Sequence, residues 1–171
     1  ERSSSFLHER KKEMSNISFD SQILYLSEKF YEKYPSSLYK EILVKKDRPY
    51  QCLLVHIEDY FICIPYRTEI RHSYAYKFKK SLRSRKHHSG LDYTKIVIIS
   101  DRGFLSAAPA LVDDDEYTET MQNLERIRRE ATAFVDDYVS HCKGEHILHS
   151  SEFKRRYQFS PLAYFHKELH I

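Results

Sequence analysis

Residues 50–66 read Tyr50-Gln51-Cys52-Leu53-Leu54-Val55-His56-Ile57, then Glu58-Asp59, then Tyr60-Phe61-Ile62-Cys63-Ile64-Pro65-Tyr66. Two runs of branched and aromatic residues divided by a short acidic step predict an antiparallel hairpin over 50–57 and 60–66. Pro65 has no N–H to give to a ladder, so it is expected to mark the strand's exit. Asp47-Arg48-Pro49 ahead of the hairpin is turn chemistry. Further upstream, Ile42, Leu43 and Val44 in a charged frame predict a strand or its approach over 40–46. A first strand is expected at 22–26. Ser27 should cap a helix over 28–34, with Glu28 early and Pro35 closing it. Downstream, 73–82 allows a short helix and 83–90 reads as a polar basic loop. Residues 93–100 read as the strongest strand of the chain. Asp101-Arg102-Gly103 turns it, and 104–111 offers one more short strand. Asp113-Asp114-Asp115 opens a long helix to about Lys143, with Gly144 past its end. Its apolar face would be Tyr117, Met121, Leu124, Ala131, Phe134, Val135 and Tyr138. Helical pieces are expected at 145–156 and 161–169. Strands followed by helices imply an α+β domain: a small antiparallel sheet or barrel with flanking helices, one of them long and in the C-terminal half.

The chain has 171 residues, 41% hydrophobic and 14% aromatic, which suits one folded domain with a real core. Only 3 Gly and 5 Pro argue against a loop-rich sandwich. Residues 1–13 are polar and unpatterned, and Met14 resembles a natural initiator. The opening therefore reads as an upstream extension or cloning remnant, disordered or weakly helical, before a single domain over 14–171. Cys52, Cys63 and Cys142 are odd in number and widely spaced, so no disulfide framework is implied and a reducing cytoplasm is expected. No apolar run reaches membrane-spanning length and no signal peptide shows.

Net charge is only +3, yet positions 67–95 concentrate Arg67, Arg71, Lys77, Lys79, Lys80, Arg83, Arg85, Lys86 and Lys95 against two acids, Glu69 and Asp92. Tyr74, Tyr76, His72, His87, His88 and Tyr93 are threaded through it. Cations interleaved with stacking faces suit single-stranded nucleic acid before membrane or duplex DNA. Lys45 and Lys46 extend the set. The plain alternative is a solvated, mobile basic loop with no partner.

With 3 Gly in all, phosphate-cradling Gly loops are excluded, as are a Gly-flanked nucleophilic serine and a zincin His pair. His141, Cys142, His146 and His149 have ligand chemistry, but read better as histidines at a helix's negative end than as a metal site. No cofactor is expected. What remains is Tyr66-Arg67-Thr68-Glu69-Ile70-Arg71-His72 after the hairpin. RNA cleavage by the neighbouring 2′-hydroxyl needs no protein nucleophile. It needs a phosphate clamp and a proton carrier, which Arg67, Thr68, Arg71 and His72 supply as types, with Lys95 alongside. On spacing alone, a surface or partly buried histidine beside basic neighbours is the favoured reading of His72.

Phe30-Tyr31, Glu41-Ile42-Leu43, Arg48-Pro49-Tyr50, Ile64 through Tyr76 and Gly90-Leu91-Asp92-Tyr93-Thr94-Lys95 resemble the toxins of type III toxin–antitoxin systems. The closest subgroup is TenpN, with ToxN and AbiQ more distant, and the resemblance runs from Ile23 to about Tyr164. It implies a MazF/PemK-like barrel and a metal-independent endoribonuclease that leaves 2′,3′-cyclic phosphate. It also implies partners: cellular or phage mRNA as target, and a small folded antitoxin RNA repeat as inhibitor in a closed protein–RNA assembly, serving phage defence or growth arrest. The ToxN branch carries a Thr-Ser pair and a following Lys after the corresponding strand. Here Arg67-Thr68 and Arg71 stand instead. The family's early aromatic falls on Phe30 or Tyr31, and only Tyr31 could donate a proton. The alternatives are a non-catalytic RNA- or DNA-binding module, or a protein-interaction domain built on the helix from Asp113.

Overall fold

The computed structural model describes residues 21–171, so the expectations for 1–13 and Met14 lie outside the described residues. In chain order the elements are β1 (Ser21–Leu26), α1 (Glu28–Lys33), β2 (Tyr50–Val55), β3 (Tyr60–Arg67), β4 (Ala75–Lys77), α2 (Leu82–His87), β5 (Gly90–Asp92), a 3-10 turn (Tyr93–Lys95), β6 (Val97–Ile99), a 3-10 turn (Arg102–Phe104), β7 (Leu105–Pro109), α3 (Asp114–Gln122), α4 (Leu124–Cys142), α5 (Ser150–Tyr157) and a last 3-10 turn (Pro161–Tyr164). This is an α+β domain on a seven-stranded antiparallel sheet ordered β4-β5-β3-β2-β1-β7, with β6 also on β3. The path has two ends, β4 and β7, so the sheet is open rather than a closed barrel.

The expected hairpin is β2–β3, paired from Val55↔Tyr60 to Tyr50↔Pro65. Its other edge is shared: Phe61–Cys63 pairs with β6, and Tyr66 and Arg67 pair with β5. Pro65 therefore does not end the strand. It sits where β3 hands over from one partner to the other, and the next N–H, of Tyr66, donates to the carbonyl of Pro49 at 3.0 Å. Tyr50, Ile62, Ile64, Leu91 and Ile98 are buried from the sheet, Ile96 just ahead of β6, and Ile127, Ala131 and Val135 from α4. Each such aliphatic or aromatic side chain contributes about 1.5–3 kcal/mol by leaving water.

Ser27 caps α1 as expected, its hydroxyl accepting from the Phe30 N–H. Four other expectations are corrected. Residues 40–46 form turns and irregular chain, with Ile42 buried as a single anchor while Val44 is exposed. The strand expected over 93–100 is confined to β6, because the Asp92 side chain accepts from the Thr94 N–H and turns Tyr93–Lys95 into a 3-10 helix first. The long helix breaks at Asn123, whose side chain bonds the Glu119 carbonyl at 2.8 Å, and Tyr117 is half exposed rather than on the apolar face. The fourth lies in the basic stretch. The helix expected at 73–82 is instead β4. The loop expected at 83–90 is α2, capped by Ser81, followed by the first residue of β5.

The basic stretch is folded because acids of α3 accept its donors. Buried Glu119 takes the N–H groups of Lys79 and Lys80 and the Tyr76 hydroxyl at 2.8 Å. Buried Glu116 takes the hydroxyls of Ser81 and Ser89 at 3.1 and 2.6 Å. Asp115 takes the Leu82 N–H at 2.9 Å. A Cβ on Gly90 would lie 2.3 Å from the Tyr76 carbonyl oxygen, so only glycine lets β4 close on β5. Losing Glu119 strands the buried Tyr76 hydroxyl and two part-buried N–H groups, and an unpaired buried donor costs about 1–3 kcal/mol. Glu119→Ala is expected to lower stability by about 3 kcal/mol in urea unfolding and to deprotect the amides of β4. A change within about 0.5 kcal/mol would show that the arm is held by other means.

Candidate active site

β3 ends in Arg67, which pairs with Gly90 at the start of β5, and Asp92, two residues further along β5, stands on the same face of the ladder as Arg67. The Asp92 side chain is wholly buried and saturated with donors. Arg67 Nη1 stands 2.7 Å from Oδ2. His72 Nε2 stands 3.2 Å from Oδ1, which also accepts the Thr94 hydroxyl at 2.6 Å and its N–H at 2.9 Å. Burial alone would push this carboxyl up. The hydrogen bonds of His72, Thr94 and Arg67 outweigh burial and hold it below the ordinary carboxylate range.

His72 is committed at both ring nitrogens. Nδ1 accepts from the Tyr74 N–H at 3.1 Å, which leaves the proton on Nε2, facing Asp92. Lys95 stands beside this cluster and donates to the carbonyls of Glu41 at 3.1 Å and Phe159 at 2.7 Å. Burial and then the Arg67 charge push its ammonium pKa down. Glu41 is itself held by the Tyr164 hydroxyl.

Of the residues expected in the site, Arg67, His72 and Lys95 are therefore brought together. Thr68 follows β3 half-buried, with no side-chain hydrogen bond among the described residues. Arg71 is not in the cluster: the chain turns through a left-handed Glu69 (φ 57°), and Arg71 reaches into solvent against that residue's carboxylate at 3.3 Å. Tyr31 lies on α1. Its hydroxyl is buried with no hydrogen-bond partner among the described residues, and desolvation raises its pKa to about 12.

Lys77, Lys79, Lys80, Arg83, Arg85 and Lys86 are exposed along β4 and α2, and Lys45 and Lys46 are exposed near α1. Lys46 also pairs with Glu28 and stands 5.7 Å over the Tyr31 ring. Tyr74 is half-buried, stacked on His72 at 6.2 Å with the Arg156 guanidinium 5.7 Å over its ring. Tyr76 is a correction: it is 3% exposed and tied to Glu119, so no base can stack on it. Asp92 and Thr94 enter the cluster from the sequence reading's margin. The signal for Asp92 was that it is one of two acids in a basic stretch.

Among the described residues, no group of His, Cys, Asp or Glu is placed to hold a metal ion. His141 accepts the Leu148 N–H and stacks on Phe153, while His149 caps α5. No helix of the described residues is long and apolar enough to cross a membrane. No family model, no curated protein and no solved structure matches the chain.

A carboxyl whose folded pKa lies below its unfolded value stabilises the fold above the unfolded pKa, and that contribution is lost as pH falls through the folded one. For Asp92 this places the loss below its ordinary 3.8. Asp92→Asn is expected to be less stable at neutral pH and to show a shallower acid limb between about pH 4 and 2 in pH-dependent urea unfolding. An acid limb of unchanged slope would remove Asp92 as the group that titrates.

Proposed function

We propose that this chain is a metal-independent endoribonuclease toxin of a type III toxin–antitoxin system, most similar to the TenpN kind. It would act in the cytoplasm on cellular or phage mRNA. The observation that carries the reading is the buried carboxylate of Asp92 gathering Arg67 and His72, with Lys95 alongside, at the root of an arm of exposed cations. An antiparallel sheet with helices packed on it also agrees with the scaffold that the resemblance implies, although a closed MazF/PemK barrel would need the β4 and β7 ends to meet.

In this mechanism the 2′-hydroxyl attacks the adjacent phosphorus and the 5′-oxygen leaves, giving a 2′,3′-cyclic phosphate. Arg67, anchored by one nitrogen, turns its remaining N–H groups to the phosphorane charge, and Thr68 holds a phosphate oxygen. Lys95, with its ammonium already destabilised, is suited to exchange a proton. His72 can do so only by releasing Asp92 or the Tyr74 N–H, so its resting role is to orient Asp92 and Arg67. Arg71 and the cations of the arm hold the flanking phosphates, including those of the antitoxin RNA repeats that the enzyme trims and that then inhibit it in a closed assembly.

The double engagement of His72 also favours one competing reading, a binding module that cleaves nothing. Incubation with RNA in EDTA separates the two. Cyclic-phosphate ends are expected from the parent, and Lys95→Met is expected to cut the rate about 10²–10⁴-fold, the usual worth of a proton-transfer group. His72→Ala should lose activity through a displaced Arg67. Intact RNA that is nevertheless bound would establish the module. In either case log affinity should fall steeply with log salt, and replacing Lys77, Lys79 and Lys80 together by Gln should flatten the slope by roughly 2–3. An unchanged slope would put the RNA on another face.

A further inference from the structure

Between β4, α4 and α5 lies a cavity of about 330 Å³, within the size range of sites that hold small planar ligands. Its floor is Tyr93 and Phe134, both buried, with ring centroids 6.4 Å apart. Its mouth is open to solvent at Ser73, Arg126 and Ala133, all three exposed. Tyr74 forms one wall, its ring 6.4 Å from that of Phe134 and 6.2 Å from that of His72. The Tyr74 N–H also holds the imidazole that stands against Asp92. The cavity is therefore one side chain away from the Asp92-centred cluster, on the far side of His72.

Arg126, Glu130, Phe134 and Asp137 follow one another at spacings of three or four, which puts them on one face of α4. The charges lining the cavity neutralise each other: Arg126 Nε stands 3.2 Å from Glu130 Oε2, and Arg156 Nη1 stands 2.9 Å from Asp137 Oδ2. A phosphate or an ammonium finds no surplus of the opposite sign here. Planes and acceptors are what the cavity offers. The Arg156 guanidinium, tied also to Glu152, lies 5.7 Å over the Tyr74 ring. Asp137 Oδ1 accepts no hydrogen bond among the described residues, and Glu130 Oε1 accepts the Tyr93 hydroxyl at 3.1 Å. A carboxylate oxygen can take two donors, so both acids keep accepting capacity. Aromatic and guanidinium planes beside hydrogen-bonding groups are how proteins hold an RNA base that has left its stack. Guanine presents two adjacent donors, N1–H and N2–H, to such an acid. Adenine and cytosine present an amino group beside an acceptor, and uracil a single N–H between carbonyls.

We propose that this cavity takes an unstacked guanine of single-stranded RNA, with Asp137 accepting from its N1–H and N2–H edge and Tyr74 and Arg156 supplying the planes. This rests on the reading of the chain as an RNA-cleaving protein, and the two fail in different assays. Ala133 is exposed at the mouth, so Ala133→Phe blocks entry without removing a buried contact. Asp137→Asn keeps the size of the side chain and turns half of the acceptor into a donor. Both variants are expected to melt close to the parent. Binding is measured with 2′-O-methyl oligouridylates, which cannot be cut, carrying guanine, adenine or hypoxanthine (guanine without its amino group) at one position. The parent is expected to bind the guanine probe about tenfold more tightly than the other two, within the usual worth of a two-bond base contact. Each variant is expected to bind all three alike, at the level of the hypoxanthine probe. Equal binding of the three by the parent overturns the pocket, and cleavage of RNA by that same parent leaves the nuclease standing. A guanine preference that survives in both variants places base recognition elsewhere and also overturns it. Capture of an arginine-rich peptide in place of RNA, weakened by Ala133→Phe, would make the cavity a cation cage and overturn the guanine site. A parent that prefers guanine, loses that preference in both variants and cuts no RNA overturns the nuclease reading and leaves the pocket standing.

Discussion

Buried carboxylate oxygens are the constraint on which the rest of this fold depends. A stretch dense in lysine and arginine has little apolar surface to bury and would by itself stay solvated. Here Asp115, Glu116 and Glu119 on one side and Asp92 on the other accept its backbone N–H groups, hydroxyls, a guanidinium and an imidazole. Charge-assisted bonds of this kind are about twice as strong as neutral ones. Because the acids take backbone and short polar groups, the long cationic side chains of β4 and α2 remain in water. Structure and surface charge are thereby supplied by different atoms of the same residues.

β3 couples this arm to the core. Its first half lies between β2 and β6, both apolar, and its last two residues pair with β5. Arg67 is therefore the end of a strand whose other end is fully packed, and its guanidinium inherits that rigidity. The same strand places Tyr66 between Gln51 and Thr120 of α3, at 3.0 and 3.2 Å, so sheet, arm and helix meet at one buried hydroxyl.

Local signals were legible where they were self-sufficient. The two apolar runs of 50–66, the Ser27 cap and the turn after β6 all depend on neighbours within a few residues. The arm did not show because its partners are remote: β4 is only Ala75–Lys77, held by a glycine thirteen or more positions on and by a glutamate more than forty away. The site was half legible for a similar reason. Composition pointed to Arg67, His72 and Lys95. It could not tell that Glu69 turns the backbone left-handed and carries Arg71 away, or that Tyr76 faces inward.

The seat of Lys95 has a consequence in time. Its ammonium rests on the carbonyl of Phe159, 64 positions further along the chain. At about 5–20 residues per second, a ribosome takes several seconds to travel that distance. The strands that make the cluster all precede Phe159, so the sheet can assemble while the lysine is held by the Glu41 carbonyl alone. A nascent chain therefore acquires its scaffold first and the final placement of this cation later.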